Sequence, residues 1–151
     1  MMIRAPRSTW IVIPVALLMP FACGKDDPPP PEYASQPCTN ADECYQHLEG
    51  GTLKGDKVCL TKVTGGYCTH TCLADTDCCA VEGECATSRK QVCAPFENVA
   101  TPMYCFLSCE DADWQAAGAS DGNTYCATYA YTGFTCRSTG GGSENRKICL
   151  W

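Results

Sequence analysis

Fifteen cysteines in 151 residues constrain this chain more than any other feature of its sequence. Close to a tenth of all positions is the density of disulfide scaffolds in short secreted chains. In the cytosol so many thiols would be kept reduced, whereas a periplasm or cell exterior lets them pair and stay paired. The expected fold class is therefore small and disulfide-rich, with short β-hairpins and one or two short helices arranged as tandem cysteine-rich units. Units of about 35 to 40 residues bury little surface alone, so bridges worth roughly 2 to 4 kcal/mol each would supply the missing stability.

The cysteine spacing repeats, which is the mark of a small unit used more than once. Tyr67-Cys68-Thr69-His70-Thr71-Cys72 is followed 37 residues later by Tyr104-Cys105-Phe106-Leu107-Ser108-Cys109. Each copy is preceded by a Val-Cys pair (Val58-Cys59, Val92-Cys93) and followed by two aspartates (Asp75 and Asp77, Asp111 and Asp113). Asp42-Glu43-Cys44 echoes Asp77-Cys78, which sets a first start at Cys38 and leaves a weaker third copy from Cys109 to Cys149. The domain from 38 to 151 then divides into units 38–71, 72–108 and 109–151, holding Cys38, Cys44, Cys59 and Cys68; Cys72, Cys78, Cys79, Cys85, Cys93 and Cys105; and Cys109, Cys126, Cys136 and Cys149. All three counts are even, so most bridges are expected to close within units, with the connectivity left open by spacing alone.

Ahead of this domain the chain changes character twice. Arg4 and Arg7 precede an apolar run from Trp10 to Phe21 that Pro14 and Pro20 interrupt. It is shorter than the roughly 20 residues of a spanning helix and reads as a signal peptide over residues 1–22. From Cys23 to Pro37 comes a spacer with four consecutive prolines, Pro28 to Pro31, which favour extended polyproline II. The junction Leu18-Met19-Pro20-Phe21-Ala22-Cys23-Gly24 resembles the lipobox of bacterial lipoproteins. In that family the cut falls before the cysteine, which then carries the lipid. The resemblance implies lipidation at Cys23, a membrane attachment through that lipid, and, with Gly24 rather than Asp following, an outer-membrane address. Ala22-Cys23-Gly24 also fits ordinary signal cleavage after Gly24, and parity does not decide between the two, since either cut leaves 14 cysteines.

Lipobox-like cysteine, proline stalk and Cys-x5-Cys units with an Asp before the second cysteine together resemble the cysteine-rich lipoproteins of myxobacteria. Some of these serve outer-membrane, cell-contact and gliding-motility functions, which is what the resemblance implies here. The leading functional expectation is a non-enzymatic envelope lipoprotein that binds another envelope or surface protein. The alternatives are a freely secreted inhibitor or toxin-like module and, less favoured, a small hydrolase.

Charge and motif content shape the remaining expectations. From Cys23 onward 17 acidic side chains face 9 basic ones (the 11 of the whole chain without Arg4 and Arg7), leaving about eight negative charges and no basic stripe for nucleic acid. No Cys-x2-Cys is present, so zinc ribbons, dithiol redox motifs and haem attachment lack their signature, and neither metal nor cofactor is expected. Adjacent Cys78 and Cys79 are expected to bridge to different partners rather than to each other. Of the two histidines, His70 is expected at a surface turn and His47 on a helix face, and no nucleophile motif accompanies them. The aspartate pairs lack the continuation of a calcium loop and suit turns and caps. The tyrosines before Cys68, Cys105 and Cys126 are expected to pack over bridges, with a sugar-stacking platform of Trp114, Tyr125, Tyr129 and Tyr131 as a minor alternative.

Local signals complete the picture. Asn40 with Glu43 three residues on predicts a capped helix from Ala41 to about Glu49, stopped at Gly50-Gly51. A second helix is predicted from Asp111 to Ala117, ended by Gly118. Strands are predicted over 57–60, 67–69, 92–94, 103–107, 134–137 and 147–150, with Gly140 to Ser143 as a hairpin tip.

Overall fold

The computed structural model describes residues 32–48, 53–96, 99–140 and 145–151. The signal segment, Cys23, the proline run, Gly50-Gly51 and most of the Gly140 to Ser143 tip lie outside the described residues. The fold is small and disulfide-rich. Strands β1 (Lys57–Cys59), β2 (Cys68–Cys72), β3 (Gln91–Phe96) and β4 (Val99–Leu107) form an antiparallel sheet in the order β1-β2-β4-β3. Helices α1 (Asp111–Ala116) and α2 (Gly122–Tyr129) follow, and β5 (Thr135–Ser138) pairs with β6 (Lys147–Leu150) in a second, two-stranded sheet.

Seven disulfides use all fourteen cysteines from Cys38 onward, and they follow one rule. Cys59 faces Cys68, Cys93 faces Cys105, and Cys136 faces Cys149 across antiparallel pairs. The first of each facing pair reaches back to the cysteine that opens its interval, giving Cys38–Cys59, Cys72–Cys93 and Cys109–Cys136. The second reaches a cysteine on or just after a helical turn, giving Cys44–Cys68, Cys78–Cys105 and Cys126–Cys149. Each two-stranded hairpin thus clamps two points of the segment before it. The seventh bridge, Cys79–Cys85, stands outside this rule. Cys78 and Cys79 do bridge to different partners.

These modules are fused rather than strung together. β2 carries Cys68 and Cys72, so one strand ends the first interval and opens the second, and it pairs with β1 on one side and β4 on the other. The third interval joins through the bridge between Ser108 and Ile148 and through an Arg146–Asp75 ion pair at 3.4 Å. The main apolar core lies where β4 meets this third part, around Tyr67, Phe106, Leu107, Tyr125, Phe134 and Ile148. The Tyr67 ring stacks on Phe134 at 5.6 Å with 8° between planes.

Several local expectations change. Only one 3-10 turn forms at Ala41–Glu43, because Cys44 adopts extended backbone to reach Cys68 and Tyr45 follows at φ 52°, which no helix continues through. Asn40 caps the turn by accepting from the Asp42 N–H, while Glu43 accepts from the Thr39 N–H at 2.8 Å. The corresponding turn at Asp75–Asp77 uses the same device, with the Asp77 carboxylate accepting from the Leu73 and Ala74 N–H groups. Helix α2 has no counterpart among the predicted elements; Asp121 starts it by accepting from Asn123 and Thr124.

The spacer assigned to residues 23–37 also ends sooner than expected. Glu32, Ala34 and Ser35 are fully buried. The Glu32 N–H donates to the Tyr129 carbonyl at 2.8 Å, its carboxylate accepts from the Ala86 N–H and the Thr87 hydroxyl, and the Gln36 carbonyl accepts from Cys68 at 2.9 Å. Residues 32–37 therefore form a strap that touches all three cysteine intervals.

Candidate functional site

Two arrangements carry chemistry beyond the repeated bridges. The first is a buried polar cluster on β2. Side chains alternate along a strand, so His70 shares a face with Cys68 and Cys72, the two bridged cysteines that flank it. His70 is fully buried and is a strand residue, which corrects the surface-turn expectation. Its Nδ1 lies 2.9 Å from the Thr71 carbonyl and its Nε2 lies 2.9 Å from the Glu84 carboxylate. A carbonyl only accepts, so Nδ1 donates there, and Nε2 and the Glu84 carboxylate are hydrogen-bond partners.

Glu84 is 1% exposed and sits in the loop that the Cys79–Cys85 bridge closes across a sequence separation of 6. It also accepts from the backbone N–H groups of Cys79 and Val81. Burial pushes its carboxyl up, but hydrogen bonds from His70, Cys79 and Val81 outweigh that and hold it below the ordinary carboxylate value. The neighbouring His47 is exposed and lies in a turn rather than on a helix face. Its Nε2–H donates to the Gly83 carbonyl at 2.8 Å, and its ring packs on Tyr33 at 3.8 Å between centroids. The 79–85 loop of the second interval is thus held by both histidines of the first.

The arrangement orders protein rather than presenting a reactive group. His70 has no exposed surface through which a substrate could reach it, and both its ring nitrogens are engaged. The sulfurs of Cys38, Cys44 and Cys68 lie within 4.8 Å of one another, as do two other such triplets. They belong to adjacent disulfides and offer no thiolate for a metal.

The second arrangement is an apolar surface around Pro102 of β4. Met103 and Tyr104 point to opposite sides of the strand, and a groove lies on each side. One, about 300 Å³, is walled by Leu73, Met103 and the aliphatic stem of Lys54; the other, about 260 Å³, by Leu60, Phe96 and Tyr104. Leu73 is 89% exposed, held out by the Asp77-capped turn that follows it. No sequence pattern marked this surface, since its walls come from β2, β3, β4 and two loops.

The aromatic platform does not assemble. Tyr125 is buried, the Arg89 guanidinium covers a face of Tyr129 at 3.3 Å, and Tyr131 packs edge-on against Phe134. Tyr67 and Tyr125 do not merely cover bridges but build the main core, where burial raises both phenols, Tyr125 to about 12.

No protein-family model, no curated protein and no solved structure matches the chain. The class that fold and site define is a small disulfide-rich protein made of three fused cystine-hairpin modules. Among the described residues no helix is long and apolar enough to cross a membrane.

Proposed function

We propose that this chain is an exported lipoprotein, anchored through Cys23, whose disulfide-rich domain is a non-enzymatic binding module for another envelope or surface protein. The observation that carries the reading is the use of every cysteine from Cys38 onward in seven bridges. Such full pairing suits an oxidising compartment; the anchor itself rests on the lipobox-like junction ahead of Cys23. A fold pinned at this many points presents a surface with little ordering cost on binding. The grooves beside Leu73 and Pro102 are where an apolar contact would form.

Gly24 after the lipobox-like cysteine suggests an outer-membrane location, and the resemblance to cysteine-rich myxobacterial lipoproteins suggests roles in cell contact or gliding motility. Mass spectrometry of the mature N-terminus of native protein tests the anchor: an acylated Cys23 is expected, and an unacylated chain starting at Lys25 would overturn it in favour of a free secreted module. Site-specific photocrosslinking from position 73 in intact cells tests the surface. One discrete protein adduct, lost on replacing Met103 by Glu, is expected.

A further inference from the structure

The bridge that breaks the repeated rule is also the one most open to solvent. Cys79 is exposed and Cys85 half-buried, whereas every other bridged cysteine is buried or half-buried. The loop it closes is the shortest of the seven, with a sequence separation of 6 against 21 to 27. Cys79 holds φ 61°, a left-handed backbone that a non-glycine residue adopts at a cost. The two sulfurs are not equivalent. The Gln91 side-chain amide donates to the Cys85 sulfur at 3.0 Å, and Gln91 itself is only 5% exposed.

We infer that Cys79–Cys85 is a thiol–disulfide exchange site, open to the dithiol of an exported oxidoreductase, and that the remaining six bridges are its inert frame. A partner thiolate attacks the sulfur of Cys79, the exposed residue of the pair, and forms a mixed disulfide. The Cys79–Cys85 bond breaks, and Cys85 leaves as a thiolate held by the Gln91 amide before taking a proton from water. The partner's second thiol then attacks its own sulfur in the mixed disulfide. Cys79 leaves and is protonated, the partner ends as an intramolecular disulfide, and this chain gains two thiols. The direction of attack follows from the geometry, since the better-stabilised thiolate is the better leaving group.

Opening this bridge reaches into the fold. The loop carries Glu84, the buried partner of His70, and Gly83, whose carbonyl accepts a hydrogen bond from His47. With the loop closed, the Tyr45–His47 turn of the first interval and strand β2 are both tied to it. With the loop open, both ties loosen while the six hairpin clamps remain. The site is thus a joint between two modules that a redox partner can release, and it needs no lipid anchor to operate.

The test uses the oxidised full-length protein as isolated, with dithiothreitol as the dithiol. Limiting reductant, alkylation during the time course and peptide mapping should label Cys79 and Cys85 at least about tenfold faster than any other cysteine. First labelling at Cys59 or Cys136, or simultaneous labelling of all pairs, would overturn the assignment. A trapped mixed disulfide with a monothiol should sit on Cys79; trapping on Cys85 would refute the proposed direction. Gln91→Leu should slow opening several-fold while leaving the folded spectrum intact, and an unchanged rate would remove the role of the amide. On selective opening the His70 imidazole resonances should shift; if they stay fixed, the joint is not coupled to the bridge.

Discussion

His70 shows how far a single residue can depart from its apparent setting. Its neighbours in sequence are threonines and cysteines, which suggest a turn, yet as a strand residue it lies between two half-cystines and faces inward. Alternation along Cys68-Thr69-His70-Thr71-Cys72 already contained that signal; what it could not contain is Glu84, which arrives from a loop 14 residues away. Removing one partner leaves the other buried and unmatched, so Glu84→Leu is expected to lower unfolding free energy by about 3 kcal/mol in urea titrations. The two buried carboxylates should respond to pH with opposite signs. Glu84 is held below its ordinary value of 4.5, so its contribution is full above that value and is lost as pH falls through the lower folded value. Glu32 is raised above 4.5, burial outweighing its hydrogen bonds from Thr87 and Ala86, so the stability it lends is full at low pH and is lost as pH rises through the higher folded value. Stability curves of Glu84→Gln and Glu32→Gln measured between pH 3 and 7 should each lose one of these slopes. Gly66 is a second residue fixed by geometry. At φ 78° a Cβ would sit 1.9 Å from the Cys38 carbonyl oxygen, so Gly66→Ala should cost about 2 kcal/mol or more.

At the scale of elements, the strands were the most legible part of the chain. Lys57, Val92 and Lys147 lie in or near strand starts because β-branched and aromatic residues alternate with bridged cysteines there. Helices were less legible, for a physical reason: a turn ending in a cysteine goes where its disulfide partner stands. Asn40 and Glu43 start a helix that Cys44 stops within one turn, while Asp121 starts an eight-residue helix in a stretch that reads as aromatic surface. The sheet edge at β3 is protected by a side chain from elsewhere. The Asp75 carboxylate accepts the Cys93 N–H at 3.0 Å, and Pro95 has no N–H to offer. Replacing Asp75 by Ala should expose that edge and break the ion pair to Arg146, and is expected to raise the tendency to associate, read by light scattering at increasing concentration. The bridges should rank by loop size. In the chain-entropy account, losing Cys78–Cys105 with its 27-residue separation costs about 3.5 kcal/mol, and losing Cys79–Cys85 about 2.2 kcal/mol. Paired alanine variants followed by thermal unfolding would check that order.

Over the whole molecule, cystines and a modest aromatic core share the task of holding three modules together. By itself the sequence determined the class of fold and the even division of cysteines into three intervals, because cysteine density and spacing are local properties of the chain. Three matters only the tertiary structure decided. Pairing was one: spacing permits many connectivities, and the strand register that sets Cys59 beside Cys68, Cys93 beside Cys105 and Cys136 beside Cys149 selects which sulfurs meet the earlier cysteines. The place of Glu32 in the folded body was another, since it is an ordinary spacer residue until Ala86, Thr87 and Tyr129 surround it. The last was the surface, where Leu73 and Pro102 stand out only after β2 and β4 pair. In each case the deciding contacts join residues far apart in the chain, and a linear pattern carries no record of distances that form only on folding.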